Sequence, residues 1–147
     1  MTKGIVVYDS FTGNTKKVAE AIASANKFKI VKVDDAPRNL KKYNLLVLGT
    51  LNIRGGPTPK INNFLKDVIP PEKFALFLTF GLPFWGYITS LKCLNNMRKQ
   101  LDLKGSKYIG KFICPGYHAK FKTYKNRPSN EDLEKAKNFS KSISDKL

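Results

Sequence analysis

Gly4-Ile5-Val6-Val7-Tyr8-Asp9-Ser10-Phe11-Thr12-Gly13-Asn14-Thr15 is the stretch that decides the fold of this chain. Its first five residues are a short, β-branched apolar run that ends at a turn cluster, as a strand buried on both faces does. From Thr15 to Ala25, Val18, Ala19, Ile22 and Ala23 share one face while Lys16, Lys17 and Glu20 lie elsewhere, an amphipathic helix. The joint between them carries three hydroxyls, one amide side chain and one glycine within six residues. Such a loop at a helix N-terminus can aim several backbone N–H groups at one anion, and the helix dipole adds a favourable field. Gly13 lets the chain pass close to a ligand. The loop has no Lys, unlike a Walker-type triphosphate site, and no G-x-G-x-x-G follows the strand. The plainer alternative is a hydroxyl-rich helix cap, with Asn14 or Thr15 as N-cap.

Outward from this stretch, strands and helices alternate. Strands are expected at 28–33, an edge-like segment in which Phe28, Ile30 and Val33 are interspersed with Lys, and at 45–49, 74–80 and 107–114. Helices are expected at 59–68, stopped by Pro70-Pro71, at 87–101, and from Ser129 onward, with Ser129 as N-cap and Glu131 and Asp132 at the positive helix end. A link containing Pro37 precedes the third strand, with a short helix expected at Arg38–Lys42. The order β-α-β-β-α-β-α-β-α implies a mostly parallel sheet covered on both faces, in one domain spanning 1–147. In this doubly wound form, ligands bind beyond the carboxyl ends of the strands, where the strand order reverses.

Composition removes several classes. The 147 residues are 41% hydrophobic and 12% aromatic, too apolar for a disordered basic tail. Cys93 and Cys114 are too few for a disulfide scaffold, and a reducing cytoplasm is the simpler setting. No signal segment is visible. The longest uncharged stretch, Phe74 to Leu91, is broken by Gly81, Pro83 and Gly86, so no membrane partner is expected. The net charge of +16 is spread as +5, +4 and +7 over residues 1–49, 50–103 and 104–147, which excludes a basic arm on a neutral domain.

The run Ser10-Phe11-Thr12-Gly13-Asn14-Thr15, placed after the N-terminal strand, resembles the FMN phosphate loop of flavodoxins, Ser/Thr-x-Thr-Gly-x-Thr. The length and strand order resemble a short-chain flavodoxin over essentially the whole chain. The segments Cys114-Pro115-Gly116-Tyr117 and Asn126 to Leu133 are similar to one branch of that family. The resemblance implies a flavodoxin-like three-layer α/β fold: a five-stranded parallel sheet with helices on both faces. It implies FMN as cofactor, with Ser10, Phe11, Thr12, Gly13, Asn14 and Thr15 about the phosphate. The ring would lie between two loops. One supplies Thr50, Leu51, Asn52, Ile53, Arg54 and Gly55; the other, with Phe80 before it, supplies Gly81, Trp85 and Tyr87. Trp85, the only Trp, is the expected ring contact, with Phe84 and Tyr87 behind it. Where relatives often place a stacking aromatic, this chain has Ile53 and Arg54, so stacking there is expected to be weak or to come from Tyr117. Gly55 or Gly56 could present a peptide carbonyl to the flavin N5.

The function so implied is an FMN-binding electron carrier in the cytoplasm, expected as a monomer, in which no side chain acts as acid, base or nucleophile. The alternatives are an FMN-dependent reductase of quinones or small molecules, and a basic flavin-free binding module. The interleaved Lys120, Phe121, Lys122, Tyr124, Lys125 and Arg127 suit a single-strand binder, but equally a solvated loop, and nucleic acid is not an expected partner. Cys93, Cys114 and His118 lack metal-ligand spacing; both thiols are expected to be buried and structural. Flavodoxins are typically acidic, so this chain departs in sign. Its redox partner proteins are expected to present acidic docking faces, with association slowing as salt rises. A positive surround also favours electrons added to a bound flavin.

Overall fold

The computed structural model describes residues 3–147. Five strands, β1 (Gly4–Tyr8), β2 (Lys29–Lys32), β3 (Leu45–Leu51), β4 (Lys73–Phe80) and β5 (Lys107–Pro115), alternate with four helices, α1 (Asn14–Asn26), α2 (Pro59–Asp67), α3 (Trp85–Leu103) and α4 (Asn130–Ser144). All strand pairs are parallel, in the order β2-β1-β3-β4-β5. This is the doubly wound sheet expected from the alternation.

Strand alternation divides the core. Ile5 and Val7 point to one face with Leu46, Leu48 and Phe74, under Phe64 of α2 and Met97 of α3. Val6 and Tyr8 point to the other with Val47 and Phe77, under Val18 and Ile22 of α1 and Ile143 of α4. A side chain that faces neither water nor a polar group is what makes β1, β3 and β4 near-continuous apolar runs. Gly49 interrupts β3 for a packing reason: it pairs with Phe77 of β4, and a Cβ there would lie 2.0 Å from that ring.

Chain reversal between β1 and β3 places two loops at the switch point: Asp9–Gly13, and the link from β3 to α2. Two further loops, β4 to α3 and β5 to α4, emerge at the same carboxyl ends. That geometry gathers every candidate segment at one end of the sheet.

Several ends shift by one or two residues, and three departures from expectation matter most. No helix forms at Arg38–Lys42. Asn39 bridges Ile69, with Leu40 N–H on the Ile69 carbonyl and Ile69 N–H on the Arg38 carbonyl, so the backbone is engaged by a distant segment before a helix can claim it. β3 runs on through Thr50 and Leu51, which are therefore strand and not loop. α3 begins at Trp85, so Trp85 and Tyr87 stand on its first turn. Among the described residues no helix is long and apolar enough to cross a membrane.

Candidate functional site

The first element of the site is the start of α1. Gly13 is its N-cap in the left-handed region, φ 97°, where a side chain is strained although nothing lies within 4 Å of a would-be Cβ. Its N–H donates to Ser10 Oγ at 3.1 Å, closing the loop into a small ring. No side chain caps the helix and no acid stands in its first turn. The first-turn N–H groups, which have no partner inside a helix, thus remain for an anion. Ser10 and Thr12 flank them. One buried carboxylate oxygen, Asp9 Oδ2, has no hydrogen-bond partner among the described residues and marks the entrance to the loop.

Two residues of this loop are committed elsewhere through their side chains. Thr15 is buried, and its hydroxyl shares a 2.7 Å hydrogen bond with that of Thr79 at the end of β4. Asn14 Nδ2 donates to the Tyr117 carbonyl at 3.0 Å. Both residues keep their backbone N–H groups for the anion site, while their side chains tie α1 to the sheet and to the loop after β5.

From this loop a cleft of about 310 Å³ runs along the strand ends. Phe11, Leu51, Asn52, Ile53, Phe80 and Gly81 line it, and its far wall is Gly116 to Lys120. A second cavity of about 500 Å³ adjoins it, sharing Asn52, Ile53, Phe80, Gly81, His118 and Lys120, and adding Arg54, Leu82, Trp85 and Phe121.

The β3–α2 loop is a tight turn. Ile53 and Gly56 exchange backbone hydrogen bonds of 2.8 and 3.0 Å around Arg54 (φ 51°) and Gly55 (φ 88°), both left-handed as such a turn demands. Asn52 holds it in place. Its Oδ1 accepts from Gly55 N–H at 2.8 Å, and its Nδ2 donates to Thr89 Oγ1 at 2.7 Å on α3. Gly55 therefore faces Thr89 and Lys92, and neither Gly55 nor Gly56 lines either of these two cavities. Thr50 is fully buried, and its hydroxyl accepts from the N–H of Thr58, the residue that caps α2. It braces the wall from behind.

At the end of β4, Phe80 packs edge-to-face with both Tyr87 and Tyr124. Tyr87 lines neither cavity; Trp85, 67% exposed, lines the second one only.

The third wall was missed by sequence reasoning. The sequence points to Tyr117 for stacking but gives no sign that His118, Ala119, Lys120 and Thr79 line the cleft, as they do. Gly116 is the signal in hindsight: a Cβ there would lie 2.6 Å from Asn14 Nδ2, so only Gly brings the end of β5 against the first loop. The wall is internally braced. Tyr117 N–H donates to the Arg127 carbonyl, His118 N–H to that of Thr123, and Thr123 Oγ1 to that of Gly81. His118 Nδ1 accepts from Phe121 N–H at 3.3 Å. Arg127 forms a two-pronged pair with Asp132 on α4, one prong at 2.8 Å.

Both cysteines are buried, and burial pushes each thiol up to about 12; Cys114 also feels Asp132. Among the described residues no cluster of three His, Cys, Asp or Glu is placed to hold a metal ion. The cleft offers neutral donors at one end and an apolar and aromatic slot at the other, with Lys120 in its far wall and Arg54 in the adjoining cavity.

Comparison with known proteins points one way. A family model described as Flavodoxin domain matches residues 5–144. An uncharacterized protein of Methanocaldococcus jannaschii is 34% identical over 152 residues, covering 96% of this chain and 97% of that one. A solved flavodoxin from the domain Archaea superposes with a TM-score of 0.75 at 19% identity, covering 99% of this chain and 98% of the other. A Fusobacterium nucleatum flavodoxin bound to flavin mononucleotide gives 0.75 at 14% identity, covering 100% and 99%.

Proposed function

The chain belongs to the flavodoxin domain family, and from that premise we propose that it binds FMN in the cleft and carries electrons between protein partners. The observation that carries this reading is the uncapped, left-handed entry to α1 at one end of an apolar cleft. A phosphate needs donors without a competing side chain, and the planar ring, joined to it through the ribityl chain, needs an apolar slot farther along the same cleft. Both needs are met at the switch point of the sheet. The Fusobacterium nucleatum structure supports the choice of ligand, being a flavodoxin with flavin mononucleotide bound.

In this reading Ser10, Thr12 and the first-turn N–H groups of α1 hold the phosphate. Gly13 supplies the close backbone approach. Leu51, Ile53, Phe80 and Tyr117 form the slot, and Asn52 keeps the Ile53–Gly56 turn against α3. When bound, FMN supplies reversible one- and two-electron transfer, and the protein supplies position and electrostatics. No side chain of the chain is asked to act as acid, base or nucleophile.

The test is the visible spectrum of the purified protein, followed by release and identification of the flavin. A colourless preparation that takes up no FMN on titration would end the reading. A second reading, an FMN-dependent reductase, draws support from the adjoining cavity of about 500 Å³, which offers room beside the ring. Turnover of NAD(P)H with a quinone by the FMN-loaded protein alone would favour it over the carrier.

A further inference from the structure

We propose that the exposed apolar stripe at the start of α3, with its cationic border, is the docking face for an acidic protein partner. The proposal rests on the reading of the cleft as an FMN site. Phe84, Trp85, Ile88 and Leu91 follow one another along the helix surface and are 68, 67, 43 and 36% exposed. Leu82 and Tyr87 extend the patch. A protein that works alone seldom leaves so many large apolar side chains together in water. Phe84 holds a φ of 58°, a region that bulky residues rarely adopt, and sets its ring edge-on against Trp85 at 5.3 Å. The pair is held at the surface, not in the core. Trp85 and Leu82 also line the cavity that adjoins the cleft, so this end of the stripe reaches the site.

Charge chooses the occupant. The chain has 11 carboxylates, and none lies in residues 36–66, 73–101 or 103–130. Those segments supply the β3–α2 turn, the stripe itself and the loop after β5. Arg54, Lys92 and Lys120 stand exposed at the border, and none joins an ion pair among the described residues. Lys92 lies along the turn, its Cδ 3.7 Å from a would-be Cβ on Gly55. A partner with an apolar centre and a carboxylate rim is steered in by the border and retained by the stripe. A second copy of this chain would instead bring like charges together in a protein of net charge +16.

The experiment uses the full chain loaded with FMN, reduced photochemically, and mixed with one of two oxidised acceptors, an acidic or a basic small haem protein, chosen for matched reduction potentials well above that of the flavin. At low salt the second-order rate constant with the acidic acceptor is expected to exceed that with the basic one by about tenfold or more, and to fall steeply as salt is added. Ile88→Ser with Leu91→Ser should lower it about fivefold, and Lys92→Glu about threefold with a shallower salt dependence. FMN content and visible spectrum should stay as in the wild type. Equal rates with both acceptors, or wild-type rates in both variants, would overturn the proposal. So would anionic phosphatidylserine vesicles being bound through Ile88 while protein rates stay unchanged, or a dimer in sedimentation that Ile88→Ser dissolves. A protein without FMN overturns this proposal together with the FMN reading, and the spectrum reveals that before any mixing.

Discussion

Asn14 Nδ2 and the Tyr117 carbonyl meet at 3.0 Å across 103 residues of sequence. This one bond joins the start of α1 to the loop after β5, and so closes the α1 end of the cleft against its far wall. Gly116 allows the approach by leaving no Cβ in the way of the amide.

Asn14→Ala removes that bond and keeps the backbone N–H. A neutral hydrogen bond contributes about 1 kcal/mol net, so FMN affinity should fall roughly fivefold by fluorescence titration. Gly116→Ala, which forces the same pair apart, should weaken binding in the same direction. Unchanged affinity in both variants would mean that the link has no part in the site.

The buried Thr15–Thr79 pair calls for a double-mutant cycle. Thr15→Val strands the Thr79 hydroxyl in a dry setting, which costs about 1–3 kcal/mol. The same holds for Thr79→Val. Removing both hydroxyls leaves nothing stranded, so the double variant should lose clearly less stability in urea than the two single losses added together. Additive losses would show that the pair does not act as one unit.

The Arg127–Asp132 pair gives a pH dependence. Burial alone would raise the Asp132 carboxyl, but the Arg127 guanidinium and the Ser129 N–H and hydroxyl outweigh it and hold the pKa below the ordinary 3.8. A depressed carboxyl stabilises the fold above that ordinary value, and the gain is lost as pH falls through the folded value. Asp132→Asn should therefore cost about 2 kcal/mol at neutral pH, and the gap to wild type should narrow by about pH 3. A gap equally wide at both pH values would contradict the assignment.

Cys93 and Cys114, with thiols pushed up to about 12 by burial, hold almost no thiolate at pH 8. Both should react with iodoacetamide at least about 100-fold more slowly than free cysteine in the native protein, and at the ordinary rate after unfolding. A fast-reacting thiol in the folded chain would place one of them at the surface.

Legibility tracked the range of the interactions. β1, from Gly4 to Tyr8, and the cap at Ser129 were read to the residue because local chemistry decides them: an apolar run at a turn cluster, and a hydroxyl ahead of two acids. The expected helix at Arg38–Lys42 failed because Ile69, far along the chain, takes the backbone bonds. Trp85 reads as loop because Gly81, Pro83 and Gly86 surround it, yet the helix starts there, with Ile88 N–H on the Phe84 carbonyl and Gly86 packed close against Phe80.

By itself, then, the sequence determined the alternation of elements, the parallel sheet and the hydroxyl-rich, lysine-free make-up of the loop at residues 10–15, all matters of period, spacing and residue chemistry. Tertiary structure alone decided which side chains of that loop stay available. Thr15 and Asn14 are drawn off by Thr79 and Tyr117, partners that only the folded sheet brings within hydrogen-bond reach. It also decided that His118 and Lys120 wall the cleft, since the ends of β4 and β5 become neighbours only when the strands pair. A net charge of +16 says nothing of place; folding turned it into a carboxylate-free border around one apolar stripe.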